Sequence, residues 1–279
     1  MPELPEVSTI VAQLNEVLKG KTILDAEIRL QKLFIGDKKQ IINKKILDVE
    51  RRAKMIIIKL DNNLSIVIHL KMTGQLIYAD KDLISFPNPI PFAGATLPAK
   101  TTHVIFKLNK GTLFFNDMRQ FGWVRVISNL QFSILNEKLG PDALGKDFTP
   151  EYLQKICGNW GRPIKLLLLD QSRIAGIGNI YANEALWYAG ISPMKRGREV
   201  TKITELYDGI QKVLEMGLKY GGSSAADEAF VDVHGIAGKM QEHFVVYQKN
   251  GTPCPRCGKT ITRSTLGGRG TFFCPKCQN

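Results

Sequence analysis

The chain has 279 residues, 44% of them hydrophobic, and its 38 Lys and Arg outweigh 26 Asp and Glu to give a formal net charge of +12. That length allows a sizeable core and two or more domains, and the composition excludes a low-complexity or disordered chain. No apolar run reaches bilayer length and the first twenty residues lack the basic-then-apolar order of a signal peptide, so an intracellular protein with a polyanionic partner is expected, nucleic acid first.

The first residues combine a potential nucleophile with two carboxylates. Once Met1 is removed, Pro2 carries a free secondary amine, and α-amino groups titrate near about 7.7–8. Val7, Ile10, Val11, Leu14, Val17 and Leu18 fall at helical spacing and Gly20 provides a stop, so the amine lies near a helix N-terminus. The positive end of the helix dipole disfavours a protonated amine there and raises its reactive fraction. Proline at a helix start and acidic residues such as Glu3 and Glu6 in a first turn are also ordinary helix chemistry.

Residues 21 to about 130 alternate or run apolar in short stretches. Strands are predicted at Thr22–Leu30, Ile46–Val49, Met55–Leu60, Leu64–Leu70, His103–Leu108, Thr112–Phe115 and Trp123–Ile127, which suggests a β-sandwich or a barrel. The interval 79–100, with Pro87, Pro89, Pro91 and Pro98, reads as a long surface loop. Leu139–Gly145 reads as a connector with a domain boundary near residue 145. Helices are predicted beyond it at Thr149–Cys157, Pro163–Asp170, Ile180–Ala189 and Thr201–Lys219.

Cys254-Pro-Arg-Cys257 and Cys274-Pro-Lys-Cys277, separated by sixteen residues, supply four thiolates suited to one tetrahedral, structural Zn²⁺ on a β-hairpin. From Lys249 onward there are six Lys and Arg and no acidic residue, so the hairpin is basic as well as metal-stapled. Arg269 stands among Gly267, Gly268 and Gly270, where a guanidinium can clamp a phosphate. Gly176-Ile177-Gly178-Asn179, between two helical segments, offers backbone N–H groups and an amide to another phosphate. Cys157, left over in a helical stretch, receives no function.

Together Pro2-Glu-Leu-Pro-Glu-Val7, Arg51-Arg-Ala-Lys54, His69-Leu-Lys-Met-Thr-Gly74, Asp117-Met-Arg-Gln-Phe-Gly122, Leu168-Leu-Asp-Gln171, Gly176-Ile-Gly-Asn-Ile-Tyr-Ala182 and Gly268-Arg-Gly-Thr-Phe-Phe-Cys-Pro275 resemble bacterial formamidopyrimidine-DNA glycosylase, in order from residue 2 to 277. The resemblance implies a multidomain α+β fold: a catalytic β-sandwich domain with its N-terminal helix over 1–138, a linker at 139–148, a helix-two-turn-helix DNA-binding domain over 149–244 and a Cys₄ zinc finger over 245–279. It implies a bifunctional glycosylase and abasic-site lyase of base excision repair in the bacterial cytoplasm, a monomer acting on duplex DNA that carries oxidised purines or abasic sites.

The resemblance also assigns roles. Pro2 matches the nucleophile that attacks C1′ and forms a Schiff base, Glu3 the acid that protonates the sugar ring oxygen, and Lys54 the lysine that assists ring opening and β-elimination. Arg269 matches the arginine that holds the lesion phosphate and is linked to δ-elimination. Met72, Arg119 and Phe121 match the wedge that fills the gap left by an extruded nucleotide, whose unstacking costs a few kcal/mol. Lys165 and Asn179 match phosphate contacts, and Glu6 is expected to shape the lesion pocket. Zinc is one structural ion on Cys254, Cys257, Cys274 and Cys277.

Three stretches depart from the family pattern. Lys100-Thr101-Thr102-His103 lacks the first histidine of a Lys-His-x-His run, Asp117–Gly122 keeps the wedge arginine without its neighbour, and Ala225-Ala226-Asp227-Glu228 does not continue the capping loop begun at Gly221–Ser224 in the usual way. The rival readings are an endonuclease-VIII-like enzyme for oxidised pyrimidines, from which Leu4 and the Met72, Arg119 and Phe121 set point away, a silent binder of damaged DNA, and a protein of structured RNA.

Overall fold

Helix α1 (Leu4–Leu18) begins with Pro5 and Glu6 in its first turn, where a missing proline N–H and an acidic side chain are both tolerated. Its Leu4, Val7, Ile10, Leu14 and Leu18 recur at helical spacing and are fully buried. The computed structural model describes residues 1–80, 84–224 and 230–279, and these fall into two compact units. Met1–Asn136 groups with Tyr220–Gln241, and Glu137–Lys219 with Glu242–Asn279.

The first unit holds the strands β1 (Ile23–Ile28), β2 (Phe34–Ile35), β3 (Ile46–Arg52), β4 (Met55–Leu60), β5 (Leu64–His69), β6 (Gly74–Ala79), β7 (Ile84–Ile90), β8 (Gly94–Leu97), β9 (Thr102–Leu108), β10 (Thr112–Asp117) and β11 (Trp123–Ser128), followed by α2 (Asn129–Glu137). One sheet has the order β1-β9-β10-β6 and the other β2-β11-β5-β4-β3. Alternate residues of each face inward: Leu76, Leu113, Phe115, Val104 and Phe106 from the first, and Ile56, Ile58, Ile66, Ile68 and Val124 from the second, share one core with α1. The architecture is therefore a sandwich, and of the two options open in the sequence the barrel is set aside.

The interval read as a loop is the clearest correction, since its described part contains the hairpin β7–β8. Ile84 pairs with Leu97 and Ser85 with Thr96, and pairing resumes only at Ile90 with Gly94. Pro87 and Pro89 fall inside that break of register, where a missing N–H costs no ladder bond. Ile90, Ala93 and Leu97 bury themselves against Ile77, Ala79, Ile105, Phe114 and Val231 in a second, smaller core. Strand β6 and helix α2 also lie outside the predicted set.

Tyr220–Gln241, assigned by its sequence neighbours to the helical domain, belongs to the sandwich unit. Tyr78 N–H donates to Val233 O at 2.9 Å, and the Gln13 amide donates to Asp232 at 2.8 Å and accepts from Val233 N–H at 3.1 Å. The continuation Ala225–Glu228 lies outside the described residues.

The second unit holds α3 (Pro150–Gly158), α4 (Ile164–Leu169), α5 (Asn179–Ala189), α6 (Ile203–Lys219) and the hairpin β12–β13 (Thr262–Leu266, Arg269–Phe273). Thr149 caps α3 by accepting from Tyr152 N–H at 3.2 Å. Helix α5 is buried nearly all round, between α6 and β13. Gly209 lets α6 close on it, because a Cβ there would stand 2.8 Å from Ala185 O. Among the described residues no helix is long and apolar enough to cross a membrane.

Candidate active site and nucleic-acid interface

Pro2 and Glu3 are buried at the start of α1, and Glu3 adopts the extended backbone of an N-cap. Glu3 N–H donates to Glu6 Oε2 at 2.8 Å, half of a capping box. The other Glu6 oxygen accepts from Ser223 N–H at 2.8 Å. Gly222, at φ +81°, makes this approach possible, since a Cβ there would come within 2.8 Å of Glu6 Cγ. Glu6 thus joins the helix start to the residues just ahead of the 225–229 stretch.

Lys54 is buried in the two-residue turn between β3 and β4, closed by the pairing of Arg52 with Met55. Ala53, the residue before it, is left-handed at φ +54°, and its carbonyl accepts from Arg51 at 3.0 Å. Lys71 (φ +53°) precedes Met72 and Gln120 (φ +56°) precedes Phe121, so three non-glycine residues in a disfavoured conformation each stand directly before a residue assigned a role. Lys71 N–H donates to His69 Nδ1 at 3.0 Å. Burial, then the charges of Lys71 and Lys54, push the His69 pKa down to about 3, which keeps the imidazole neutral and its Nδ1 able to accept.

Asp117 is fully buried and organises the loops that carry Met72, Arg119 and Phe121. One oxygen accepts from Thr73 Oγ1 at 2.5 Å and from Arg119 N–H at 3.2 Å, and the other from Gly122 N–H at 2.7 Å. Thr73 Oγ1 itself accepts from Arg119 N–H at 2.9 Å, so the loops carrying Met72 and Arg119 are tied together. Phe121 is 55% exposed and Arg119 lies over its ring at 5.0 Å. His103 is buried, with Nε2 2.9 Å from Asp117 O.

In the second unit Gln171 braces the turn between α4 and α5: its amide donates to Leu169 O and Ile177 O at 3.1 and 2.8 Å and accepts from Gly176 N–H at 2.9 Å. Lys165, expected on a phosphate, is fully buried and donates to Gly270 O at 2.7 Å and Thr271 Oγ1 at 2.8 Å. Asn179 donates to Gly270 O at 3.2 Å, and Asn183 Oδ1 accepts from Phe272 N–H at 2.8 Å. Both candidates therefore engage the strand that carries Arg269, whose own side chain is exposed.

Sequence reasoning passed over Glu184, a fully buried carboxylate that accepts from the backbone N–H groups of Val245, Val246 and Tyr247 at 2.7–2.9 Å. Burial raises its pKa and the three donors oppose the rise. A glutamate beside Asn183 in the middle of a largely apolar helical run was the available signal. Burial also pushes the Cys157 thiol up to about 12, which fits an inert core residue.

The four Sγ atoms of Cys254, Cys257, Cys274 and Cys277 lie within 4.8 Å of one another, with 3.9 Å between Cys254 and Cys277 and 3.5 Å between Cys257 and Cys274. Four sulfurs at about 2.3 Å from a tetrahedral zinc stand roughly 3.8 Å apart. The cluster fits one Zn²⁺ closed by four thiolates, a structural site without an open position.

An N-terminal helix buried against a sandwich, a helix-turn-helix pair braced by Gln171 and a four-cysteine hairpin define the helix-two-turn-helix class of zinc-finger DNA glycosylases. Residues 1–124 match the formamidopyrimidine-DNA glycosylase N-terminal domain, 139–229 the H2TH domain of the same enzyme, and 251–279 the zinc finger found in FPG and IleRS. Formamidopyrimidine-DNA glycosylases of Chloroflexus aurantiacus and Pelotomaculum thermopropionicum are each 40% identical to this chain over its whole length, covering 98% and 99% of their own. The chain belongs to the formamidopyrimidine-DNA glycosylase family. Among solved structures, Lactococcus lactis Fpg bound to abasic-site DNA superposes with a TM-score of 0.86 at 33% identity, covering 99% of each chain. MutM bound to DNA containing carbocyclic 8-oxo-G gives 0.86 at 34% identity and covers all of both chains.

Proposed function

We propose that the protein excises oxidised purines, 8-oxoguanine and formamidopyrimidines, from duplex DNA and then cuts the strand at the resulting abasic site. The carrying observation is the start of α1, where Pro2 and Glu3 are buried side by side and Glu6 holds the Glu3 N–H. Removal of Met1 frees the Pro2 amine, whose lone pair attacks C1′ as the base departs with the glycosidic electron pair. The departing base takes up the proton that the amine sheds, Glu3 gives its own proton to the ring oxygen, and the nitrogen lone pair opens the ring to leave a cationic iminium between Pro2 and C1′. Loss of a C2′ proton then expels the 3′ phosphate, and a second elimination expels the 5′ phosphate.

Lys54 assists ring opening and β-elimination, and its charge beside neutral His69 suits it to an anionic substrate. Met72, Arg119 and Phe121 enter the duplex, Arg269 clamps the lesion phosphate, and Lys165 and Asn179 support that strand as well as serving the backbone contacts of the family. Glu6 acts on the lesion pocket through Ser223. In domain terms, Met1–Asn136 together with Tyr220–Gln241 carries the chemistry, while the helices within 149–219 and the zinc finger over 245–279 grip DNA. The protein works as a monomer in the bacterial cytoplasm.

Borohydride trapping on duplexes carrying 8-oxoguanine, an oxidised pyrimidine or no lesion tests this reading. An adduct chiefly on 8-oxoguanine, lost when the Pro2 amine is blocked, is the expected result. The pyrimidine duplex belongs in the panel because Lactococcus lactis Fpg has been solved with DNA containing an oxidised pyrimidine. Preference for that lesion moves the protein to the endonuclease-VIII-like alternative, and absence of any adduct makes it a silent binder.

A further inference from the structure

Seven non-glycine residues of the described chain hold a left-handed backbone: Asn43, Ala53, Asn63, Lys71, Phe92, Gln120 and Gln248. Asparagine tolerates that conformation, and Gln248 belongs to the second unit. Ala53, Lys71 and Gln120 precede Lys54, Met72 and Phe121. Phe92, at φ +65°, is the remaining residue and the bulkiest, and no step above uses it. A bulky side chain stays in this region only where its surroundings impose it, and such positions gather where a protein grips a ligand.

Those surroundings are specific. Buried Gln75 donates its amide to Pro91 O at 2.9 Å, Thr101 Oγ1 donates to Phe92 O at 3.0 Å, and Ala93 N–H donates to Ile90 O at 3.1 Å. Ile90 and Ala93 turn inward to the smaller core, while Phe92 remains 39% exposed. The tip of β7–β8 is thus fixed on both sides with its ring left outside. Thr101 also accepts from Asp117 N–H at 2.9 Å, and the Asp117 carboxylate holds the wedge loop. Two hydrogen bonds connect Phe92 to the segment that carries Arg119 and Phe121. Thr101 occupies the place of the histidine missing from the family run, and its hydroxyl is committed to the Phe92 carbonyl.

We propose that Phe92 is a further duplex contact, an aromatic ring held out at the tip of β7–β8 to pack on a sugar or base face flanking the lesion. The inference rests on the glycosylase reading above. An uncharged ring adds contact without releasing counterions, so it contributes affinity that salt does not screen.

The test uses the full-length, zinc-loaded, Met1-processed protein and a duplex containing a tetrahydrofuran abasic analogue. Phe92→Gly removes the ring and relieves the strain of φ +65°, which offsets the greater freedom of the unfolded glycine and the lost packing of the ring, so its melting temperature is expected to stay close to that of the unsubstituted protein. Its affinity is expected to fall about tenfold, with the slope of log affinity against log salt unchanged. Phe92→Trp should keep affinity and change its emission on duplex addition beyond any change in the unsubstituted protein. Undiminished affinity in F92G overturns the proposal. If F92G melts lower, F92W decides, and an emission unmoved by duplex overturns the proposal. Failure of the unsubstituted protein to bind the duplex overturns the glycosylase reading instead.

Discussion

At the end of the sandwich, Lys54, Met72 and Phe121 stand on short turns whose preceding residues are left-handed, and those turns are anchored in strands that share one large apolar core. Arg269 stands on a two-stranded hairpin whose buried apolar side chains include Ile261 and Phe272, and whose other supports are a thiolate cluster, the Lys165 ammonium and the Asn183 amide. Where a core imposes the backbone, the loss of one polar contact shifts a loop. Where metal and buried polar groups replace a core, the loss of one removes the element. The difference predicts unequal responses to equally small changes.

The largest effect is expected from Cys254→Ser. Structural zinc contributes on the order of 10 kcal/mol of binding energy to folding, so the hairpin should unfold and duplex affinity fall by roughly a hundredfold or more, while the sandwich keeps its own melting transition. Metal content, calorimetry and duplex titration measured together check this, and intact affinity without zinc would remove the contrast. Next is Lys165→Met, which leaves Thr271 Oγ1 without its buried donor and Gly270 O with Asn179 alone. A loss of about 2–3 kcal/mol is expected, read as a lower melting temperature of the second unit alone.

In the sandwich, Asp117→Asn puts an amide donor against one of the N–H groups of Gly122 and Arg119. It should cost about 1–2 kcal/mol and slow excision of 8-oxoguanine by roughly tenfold, while cleavage of a preformed abasic site, which requires no base extrusion, changes little. Equal losses on both substrates would break the link between Asp117 and the wedge. Acid acts on a neighbouring turn. His69 is neutral in the fold with its pKa lowered to about 3, so its contribution is fully present above the unfolded value of about 6.5 and is lost as pH falls from there toward 3. Near pH 5 the loss is on the order of 1–2 kcal/mol, and His69→Gln should flatten that part of the stability profile. Smallest is Ala53→Gly, where relief of the left-handed strain and the greater freedom of the unfolded glycine offset each other to within about 1 kcal/mol. Lyase rate, rather than melting temperature, should register the looser Lys54.

Much of this contrast was legible in the residues. The two Cys-x-x-Cys pairs specify their own geometry because four thiolates have one common use at that spacing, and the apolar period of α1 marks its buried face. The sandwich strands followed from alternation, although β6, which shares only Gly74 with the quoted motif, received no reading. Hairpin β7–β8 was missed because proline counts against a strand only where the ladder is continuous, and a broken register is not written locally. The bonds that Lys165 makes to the Arg269 strand could not be read locally, because burial of an ammonium depends on acceptors more than a hundred residues away. Glu184 and Asp117 escaped for the same reason, since their value lies in backbone N–H groups that any sequence supplies.

The sandwich unit is assembled from two stretches of chain, Met1–Asn136 and Tyr220–Gln241, with the whole of α3 to α6 between them. A ribosome releases the chain from the N-terminus and domains fold as units once their residues are available. The Ser223 N–H that engages Glu6 and the Val233 carbonyl that engages Tyr78 emerge only after about four-fifths of the protein has been made. The sandwich unit is therefore completed late in synthesis, and a nascent chain that already carries all of α1 and both sheets is still too short to give Glu6 its Ser223 partner.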